Sequence, residues 1–308
     1  MLNVTDDVLI EDEVLRDGLQ NEKTQLSTDE KLRLISGLEA AGVRRIQVGS
    51  FVHPGKVPQM ADTDELFRRI RRKPGVTYTA LVLNRAGLDR ALAAEVPHLS
   101  MSVSASETHS RKNVNRSVGE ALEAMLPTIA AALEAGVQVR AGIQSALGCG
   151  FEGRIDPEAV LAIARRYAEV GVHEINLADT AGLANPRQVH DLCLRVADAV
   201  AATGGRAKLS LHLHDTRGLG LANLMAGLEA GVRIYDAALG GLGGCPFIPK
   251  ATGNIATEDT VFALSEMDIE TGIDWRALAV LTRDLESRLG RRLPGRMAHV
   301  RQPGEDAA

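Results

Sequence analysis

Aromatic residues make up only 3% of this 308-residue chain, with one tryptophan, three tyrosines and five phenylalanines. A core built with so few large rings must be filled by Ala, Leu and Val, and hydrophobic residues do reach 45%. Three cysteines, Cys149, Cys193 and Cys245, are odd in number and far apart. That spacing excludes a disulfide framework and a clustered thiolate zinc site. No apolar run approaches the roughly 20 residues that a membrane-spanning helix needs. Met1-Leu2-Asn3 leads straight into acidic residues instead of a signal peptide, so the expected location is the cytoplasm, with no membrane partner.

Charge of one sign is also missing. The 35 basic and 40 acidic residues are interspersed and sum to −5, which argues against a nucleic-acid-binding surface. The densest basic stretch, Arg68-Arg69-Ile70-Arg71-Arg72-Lys73, reads as a solvated helix face. With 24% charged residues the balance is that of a globular protein with a sizeable core. Cys193, inside a helical pattern, is expected to pack. Cys149 and Cys245 lie in glycine-rich loops where a thiol can serve chemistry.

What is present is repetition. Short β-rich runs at 8–15, 44–48, 76–82, 98–103, 137–145, 173–178, 207–213 and 234–239 make eight units. Apolar periodicity places helices at 29–41, 62–72, 117–135, 157–170, 186–202 and 223–230. Four of the helices end alike, in Ala41-Gly42-Val43, Ala135-Gly136-Val137, Val170-Gly171-Val172 and Ala230-Gly231-Val232. Glycine there ends a helix in the left-handed region, and a β-branched residue leads into the next strand.

Eight βα units with no Gly-x-Gly-x-x-Gly after the first strand predict a closed (β/α)₈ TIM barrel, not an open dinucleotide-binding sheet. One catalytic domain over 1–301 is expected, with a helical stretch at 257–290 beside the barrel and a disordered tail at 302–308.

Active sites of such barrels sit at the carboxyl ends of the strands. Polar residues gather there: Arg16 and Asp17 after the first run, Gln47 and Ser50 at the second, Ser145 at the fifth, Asp179 at the sixth, His212 and His214 at the seventh. Strand alternation aims His212 and His214 of His212-Leu213-His214-Asp215 to one side. Two such rings are either hydrogen-bonded barrel histidines or half a metal site. Asp17, and Asn254 in the loop after the eighth run, would complete a mixed nitrogen and oxygen set for a divalent cation, Mg²⁺ or Mn²⁺ first and Zn²⁺ or Co²⁺ as alternatives.

Arg16 beside Asp17 is either a structural ion pair or an oxyanion-holding guanidinium. The run Gly240-Gly241-Leu242-Gly243-Gly244-Cys245-Pro246, continuing through Lys250 to Asn254, reads as a mobile loop over the barrel mouth that carries Cys245. Its glycines could instead cradle a phosphate, although no Lys-Ser or Lys-Thr completes a P-loop.

In Arg16-Asp17-Gly18-Leu19-Gln20-Asn21-Glu22-Lys23, Ser50-Phe51-Val52 with Val57-Pro58-Gln59-Met60, His212-Leu213-His214-Asp215, and Gly241-Leu242-Gly243-Gly244-Cys245-Pro246 with Gly253-Asn254-Ile255-Ala256-Thr257-Glu258-Asp259, the chain resembles the 3-hydroxy-3-methylglutaryl-CoA lyases nearly end to end. The loop around Cys245 is the specific signature. Arg-Asp-Gly and His-x-His are shared with isopropylmalate and homocitrate synthases.

The resemblance implies one divalent cation on Asp17, His212, His214 and Asn254, with Arg16, Asp179 and Cys245 as further functional positions and Lys23 near the CoA. It implies retro-Claisen cleavage of an acyl-CoA thioester to acetyl-CoA and acetoacetate, and commonly a homodimer. On this reading Arg16 holds the enolate oxygen and Cys245 delivers the proton that completes acetyl-CoA. Asp179 receives the hydroxyl proton or orients His212.

One departure stands out. Where the lyases carry a glutamate in the second strand, this chain has Gln47, which cannot take a proton or add negative charge beside the cation. Cleavage of citramalyl-CoA to pyruvate and acetyl-CoA, and a non-catalytic acyl-CoA binder, are therefore the alternative expectations. A synthase is a third, although only about fifty residues follow Asn254 where those enzymes typically add a regulatory domain.

Overall fold

The structure, a computed structural model, describes residues 7–244 and 252–300. Among these, eight parallel strands close into a barrel in chain order. They are β1 (Leu9–Asp12), β2 (Arg45–Ser50), β3 (Thr77–Leu81), β4 (His98–Ser104), β5 (Gln138–Gln144), β6 (Glu174–Asp179), β7 (Lys208–Leu213) and β8 (Ile234–Ala237). Pairing of Leu9 with Ile234 closes the ring between β1 and β8.

Helices α1 (Thr28–Ala40), α2 (Thr63–Arg69), α3 (Arg85–Ala93), α4 (Glu107–Val114), α5 (Val118–Glu134), α6 (Pro157–Val170), α7 (Pro186–Ala202) and α8 (Gly220–Glu229) surround it. The glycines Gly42, Gly136, Gly171 and Gly231 all take positive φ, as the repeated helix stop requires. Ser27 and Ser117 begin α1 and α5 with complete capping boxes closed by Glu30 and Glu120.

Several boundaries differ from the sequence expectation. The first apolar run is a strand only as far as Asp12, whose Oδ1 accepts from Val14 N at 2.9 Å and turns the chain into a π-helical turn, Val14–Gly18. Helix α2 stops at Arg69, not 72, because Ile70 is extended and the cationic run heads toward Pro74. The C-terminal stretch is two helices, α9 (Thr257–Ser265) and α10 (Trp275–Leu289), with Asp274 capping the second. Helices α3 and α4, of nine and eight residues, are not among the helices placed from the sequence. The 302–308 tail lies outside the described residues.

Three consecutive side chains bind the C-terminal helices to the barrel. Thr257 donates to Asp12 Oδ2 at 2.6 Å. Glu258 accepts from Gly240 N at 3.0 Å and from Thr282 at 2.9 Å. Asp259 accepts from the backbone of Arg296 and Met297. Gly37 lets α1 approach α10, since a Cβ there would meet the Leu281 side chain at 2.8 Å.

The barrel lumen holds an ionic network. Arg45 of β2 pairs with Glu11 of β1 and reaches across to Glu174 of β6 with two bonds of 2.8 and 2.9 Å. Arg140 of β5 reaches Glu11 at 3.0 Å, Asp236 at 2.5 Å and Glu13 at 2.7 Å. Contacts between non-adjacent strands can run only through the lumen. Removing one partner of such a buried set typically costs about 3–5 kcal/mol, because the others are left uncompensated.

Candidate active site

The site is built on the floor of that network. The π-helical turn carries Arg16 and Asp17 over the end of β1, and π turns are frequent at functional sites. His212 ends the inward-facing row of β7, and His214 follows on the same face. Their ring centroids are 5.0 Å apart and their Nε2 atoms 3.0 Å apart. A backbone bridge pairs His214 with Asn254, through Asp215 N to Gly253 O and Ile255 N to Leu213 O, both 3.0 Å. Asn254, distant in sequence, is thereby locked beside the histidines.

Ligand atoms of Asp17, His212 and His214 lie within 4.8 Å of one another. Asn254 donates through Nδ2 to Asp17 Oδ2 at 2.8 Å and to Leu242 O at 3.0 Å. Its Oδ1 is buried and has no hydrogen-bond partner among the described residues. A buried, unsatisfied acceptor costs about 1–3 kcal/mol unless something binds it. Gly243 leaves the space, since a Cβ there would stand 2.6 Å from Asn254 Nδ2 and 3.0 Å from Asp17 Oδ2. Two imidazole nitrogens, a carboxylate and an amide oxygen suit a divalent cation.

Electrostatics support the grouping. Burial disfavours charge on His212, but hydrogen bonds to Asp236 and Glu13 outweigh it and push the ring up to about 10. Its Nδ1 stands 3.2 Å from Asp236 Oδ2 and 3.4 Å from Glu13 Oε2. Burial and the charge of His212 pull His214 down to about 4. Burial would raise Asp17, but Arg16 beside it holds the carboxyl below its usual range.

All three donor groups of Arg16 are engaged: Nε with Gln47, Nη1 with Asp17 Oδ1 at 2.5 Å, and Nη2 with Glu13. A cavity of about 530 Å³ opens above, lined by Arg16, Asp17, His212, His214, Arg140 and Asp236. Lys56 and Arg116 bring positive charge to its lining.

Other expected residues sit elsewhere. Asp179 is fully buried, and its two oxygens accept from Leu183 N at 2.8 Å and Ala184 N at 3.1 Å. Burial pushes it up to about 6. Asp236 and Glu13 are the carboxylates that face His212 Nδ1. Gln47 is buried behind Arg16 and does not line the cavity. Ser50 and Ser145 are buried too, bonded to Leu81 O and the Thr180 hydroxyl. Lys23 is exposed on the loop before α1. Cys149 is buried, 3.0 Å from the Ser106 hydroxyl, and Cys193 packs inside α7. Cys245 and Lys250 lie outside the described residues.

Glu13, Arg140 and Asp236 were missed in the sequence. Their signal was a charge at an inward-facing strand position, or just past a strand end, in an otherwise apolar run.

The family model described as HMGL-like matches residues 7–285. The chain belongs to the HMGL-like family. A hydroxymethylglutaryl-CoA lyase of Pseudomonas mevalonii is 42% identical over 278 residues, covering 89% of this chain and 90% of that protein. An (R)-citramalyl-CoA lyase of Chloroflexus aurantiacus is 41% identical over 297 residues, covering 93% and 92%. The solved structure of an HMG-CoA lyase from Acinetobacter baumannii, in complex with coenzyme A and 3-methylmalate, superposes with a TM-score of 0.91 at 38% identity, covering 100% of this chain and 99% of that one. HMGL-like membership agrees with the resemblance carried by the Arg16, His212 and Gly241 motifs, and the closed barrel agrees with the expected fold.

Proposed function

We propose that this chain is a divalent-metal-dependent carbon–carbon lyase that cleaves 3-hydroxy-3-methylglutaryl-CoA to acetyl-CoA and acetoacetate. The observation that carries the reading is the unsatisfied Oδ1 of Asn254 beside Asp17 and two facing imidazoles, with Arg16 at the same cavity wall. Asp17, His212, His214 and Asn254 would hold the cation, Mg²⁺ or Mn²⁺ by its oxygen ligands, and it would polarise the substrate hydroxyl and the departing ketone.

The residues of the chain supply the rest. The tertiary hydroxyl loses its proton, its O–H electrons form the ketone C=O, and the electrons of the breaking carbon–carbon bond pass to the thioester as an enolate. Arg16, which lines the cavity, stabilises that developing charge with its guanidinium while Asp17 and Glu13 keep it in place. Asp236 and Glu13 hold the Nδ1 side of His212, so its Nε2 stays aimed at the ligand cluster. Receipt of the hydroxyl proton at Asp179 requires one of its oxygens to exchange a loop amide for substrate. Cys245 is the proposed donor to the enolate carbon, and Lys23 the proposed contact for the CoA phosphates.

A single catalytic domain over 1–301, a cytoplasmic location and a homodimer belong to the same reading. The family match over 7–285 supports the first. Among the described residues no helix is long and apolar enough to cross a membrane.

The test is product analysis of purified protein with Mg²⁺ or Mn²⁺ and each thioester in turn. Release of acetyl-CoA with acetoacetate supports the reading. Pyruvate from citramalyl-CoA alone would replace it with the citramalyl-CoA lyase activity, and no release from either would leave an acyl-CoA binder.

A further inference from the structure

The lumen wall opposite the ligand cluster carries almost no bulk. In a ring closed in chain order, β5 stands across from β1, whose end leads into the turn that holds Asp17. Arg140, Gly142 and Gln144 of β5 line the main cavity, and Gly142 pairs in register with Ser102 of β4. A Cβ at position 142 would already stand 3.1 Å from Ser102 Cβ, so any side chain there would fill the strip between them. Gln144 Nε2 donates to the Ser102 hydroxyl at 3.1 Å along the same strip.

Beyond it a second cavity, of about 260 Å³, passes over the end of β4 to α5. Leu83, Ser102, Val114 and Gln144 line both spaces, so the two join. Val103, Ala121 and Met125 form a buried apolar wall, and Asn113, Arg116 and Ala124 stand exposed at the outer edge. The rest of the buried lining is the hydroxyls of Ser104, Ser110 and Thr128, with no charged group among the described residues. Such a space suits an apolar chain, not a carboxylate or a phosphate.

We propose that the second cavity is a subsite for the substituent on the carbinol carbon, so that the chain takes 3-hydroxyglutaryl-CoA thioesters bearing an apolar chain of several carbons in place of the methyl. This deepens the lyase reading and rests on it. With the hydroxyl at the ligand cluster and the thioester arm at Arg16, two bonds of that tetrahedral carbon lie on the β1 side. The carboxylate arm keeps to the polar floor of Arg140 and Asn176, and the fourth bond faces the strip at Gly142. The bond that breaks is unchanged: acetyl-CoA leaves as before, and the substituent stays on the 3-oxo acid.

Each methylene taken out of water strengthens binding roughly fourfold, so burying two gives more than about tenfold. The experiment compares 3-hydroxy-3-methylglutaryl-CoA with its 3-hexyl homologue in the presence of Mg²⁺. The hexyl compound is expected to have a kcat/KM higher by about tenfold or more, with the gain in KM. Calorimetry with 3-methylglutaryl-CoA and 3-hexylglutaryl-CoA, which lack the hydroxyl and cannot be cleaved, is expected to show the same preference in Kd. A121F and A124F fill the cavity from its buried wall and from its outer edge. Each should lower the hexyl-to-methyl ratio by about tenfold or more.

Equal or weaker binding and turnover of the hexyl compounds would overturn the proposal. So would an equal loss for methyl and hexyl compounds in the filled variants, which marks the pantetheine arm in that space. If A121F does not fold, A124F at the exposed edge decides alone. Cleavage of the methyl substrate without a hexyl preference ends the subsite and leaves the lyase reading standing. No cleavage of either thioester, with a hexyl preference in Kd that A124F abolishes, ends the lyase reading and leaves the subsite standing.

Discussion

His212 Nε2 and His214 Nε2 face each other at 3.0 Å, a separation at which something positive must lie between two ring nitrogens. Without a metal that something is a proton on His212, whose ring sits near 10 while His214 sits near 4. A cation on the same nitrogens must displace it. Metal binding at pH 8 is therefore expected to release about one proton. Titration calorimetry in buffers of different ionisation enthalpy measures this directly. Metal affinity should also rise with pH up to about 10. Binding without proton release would mean that the cation sits elsewhere.

Arg16→Gln removes the guanidinium while leaving the ligand cluster in place. Turnover should fall by about 10²–10³-fold, the scale of losing an oxyanion partner, with Mn²⁺ affinity little changed. Steady-state kinetics and a metal titration on one preparation check both halves. Near-normal turnover would return Arg16 to the role of a structural ion pair.

Asp179 accepts two backbone amides, so Asp179→Asn turns an NH₂ group against an N–H and should destabilise the fold by about 1–3 kcal/mol. Urea unfolding of the variant measures it. Full loss of activity with unchanged stability would instead support Asp179 as the proton acceptor.

Glu258 is fully buried, and burial pushes its carboxyl up to about 7 from an ordinary value of 4.5. The folded state then binds more protons than the unfolded chain between those values, so this group costs stability as pH rises through 4.5–7 and no further above it. Glu258→Gln can still accept from Gly240 N and donate to Thr282. It should match wild type near pH 4.5 and exceed it above pH 7 by at most about 3 kcal/mol. Equal stability of the two proteins at pH 8 would show that Glu258 ionises in the fold without penalty.

The barrel was legible in the sequence because its punctuation is local. Gly42, Gly136, Gly171 and Gly231 each mark a helix end through their own φ, and no distant contact is needed to read them. The helix α4 was not legible, because Glu107–Val114 buries little beyond His109 and Ser110 and so shows no apolar stripe. The ligand set was legible as a pattern: His212 and His214 share a strand face, and Asp17 and Asn254 follow strand ends.

What orients that set was not legible. Glu13, Arg140 and Asp236 belong to different units, and only barrel closure brings them within 3.4 Å of one another or of His212. The same holds for Gln47. The sequence shows it only as an amide in place of a carboxylate, and its partners Arg16 and Glu11 emerge only in the closed barrel.

The most direct test is an anomalous difference map from crystals grown with Mn²⁺. One peak is expected, bonded to a carboxylate oxygen of Asp17, Nε2 of His212, Nε2 of His214 and Oδ1 of Asn254. A peak on Glu13, His212 and Asp236, the other group among the described residues that could hold an ion, would contradict the account, as would a map with nothing at the barrel mouth.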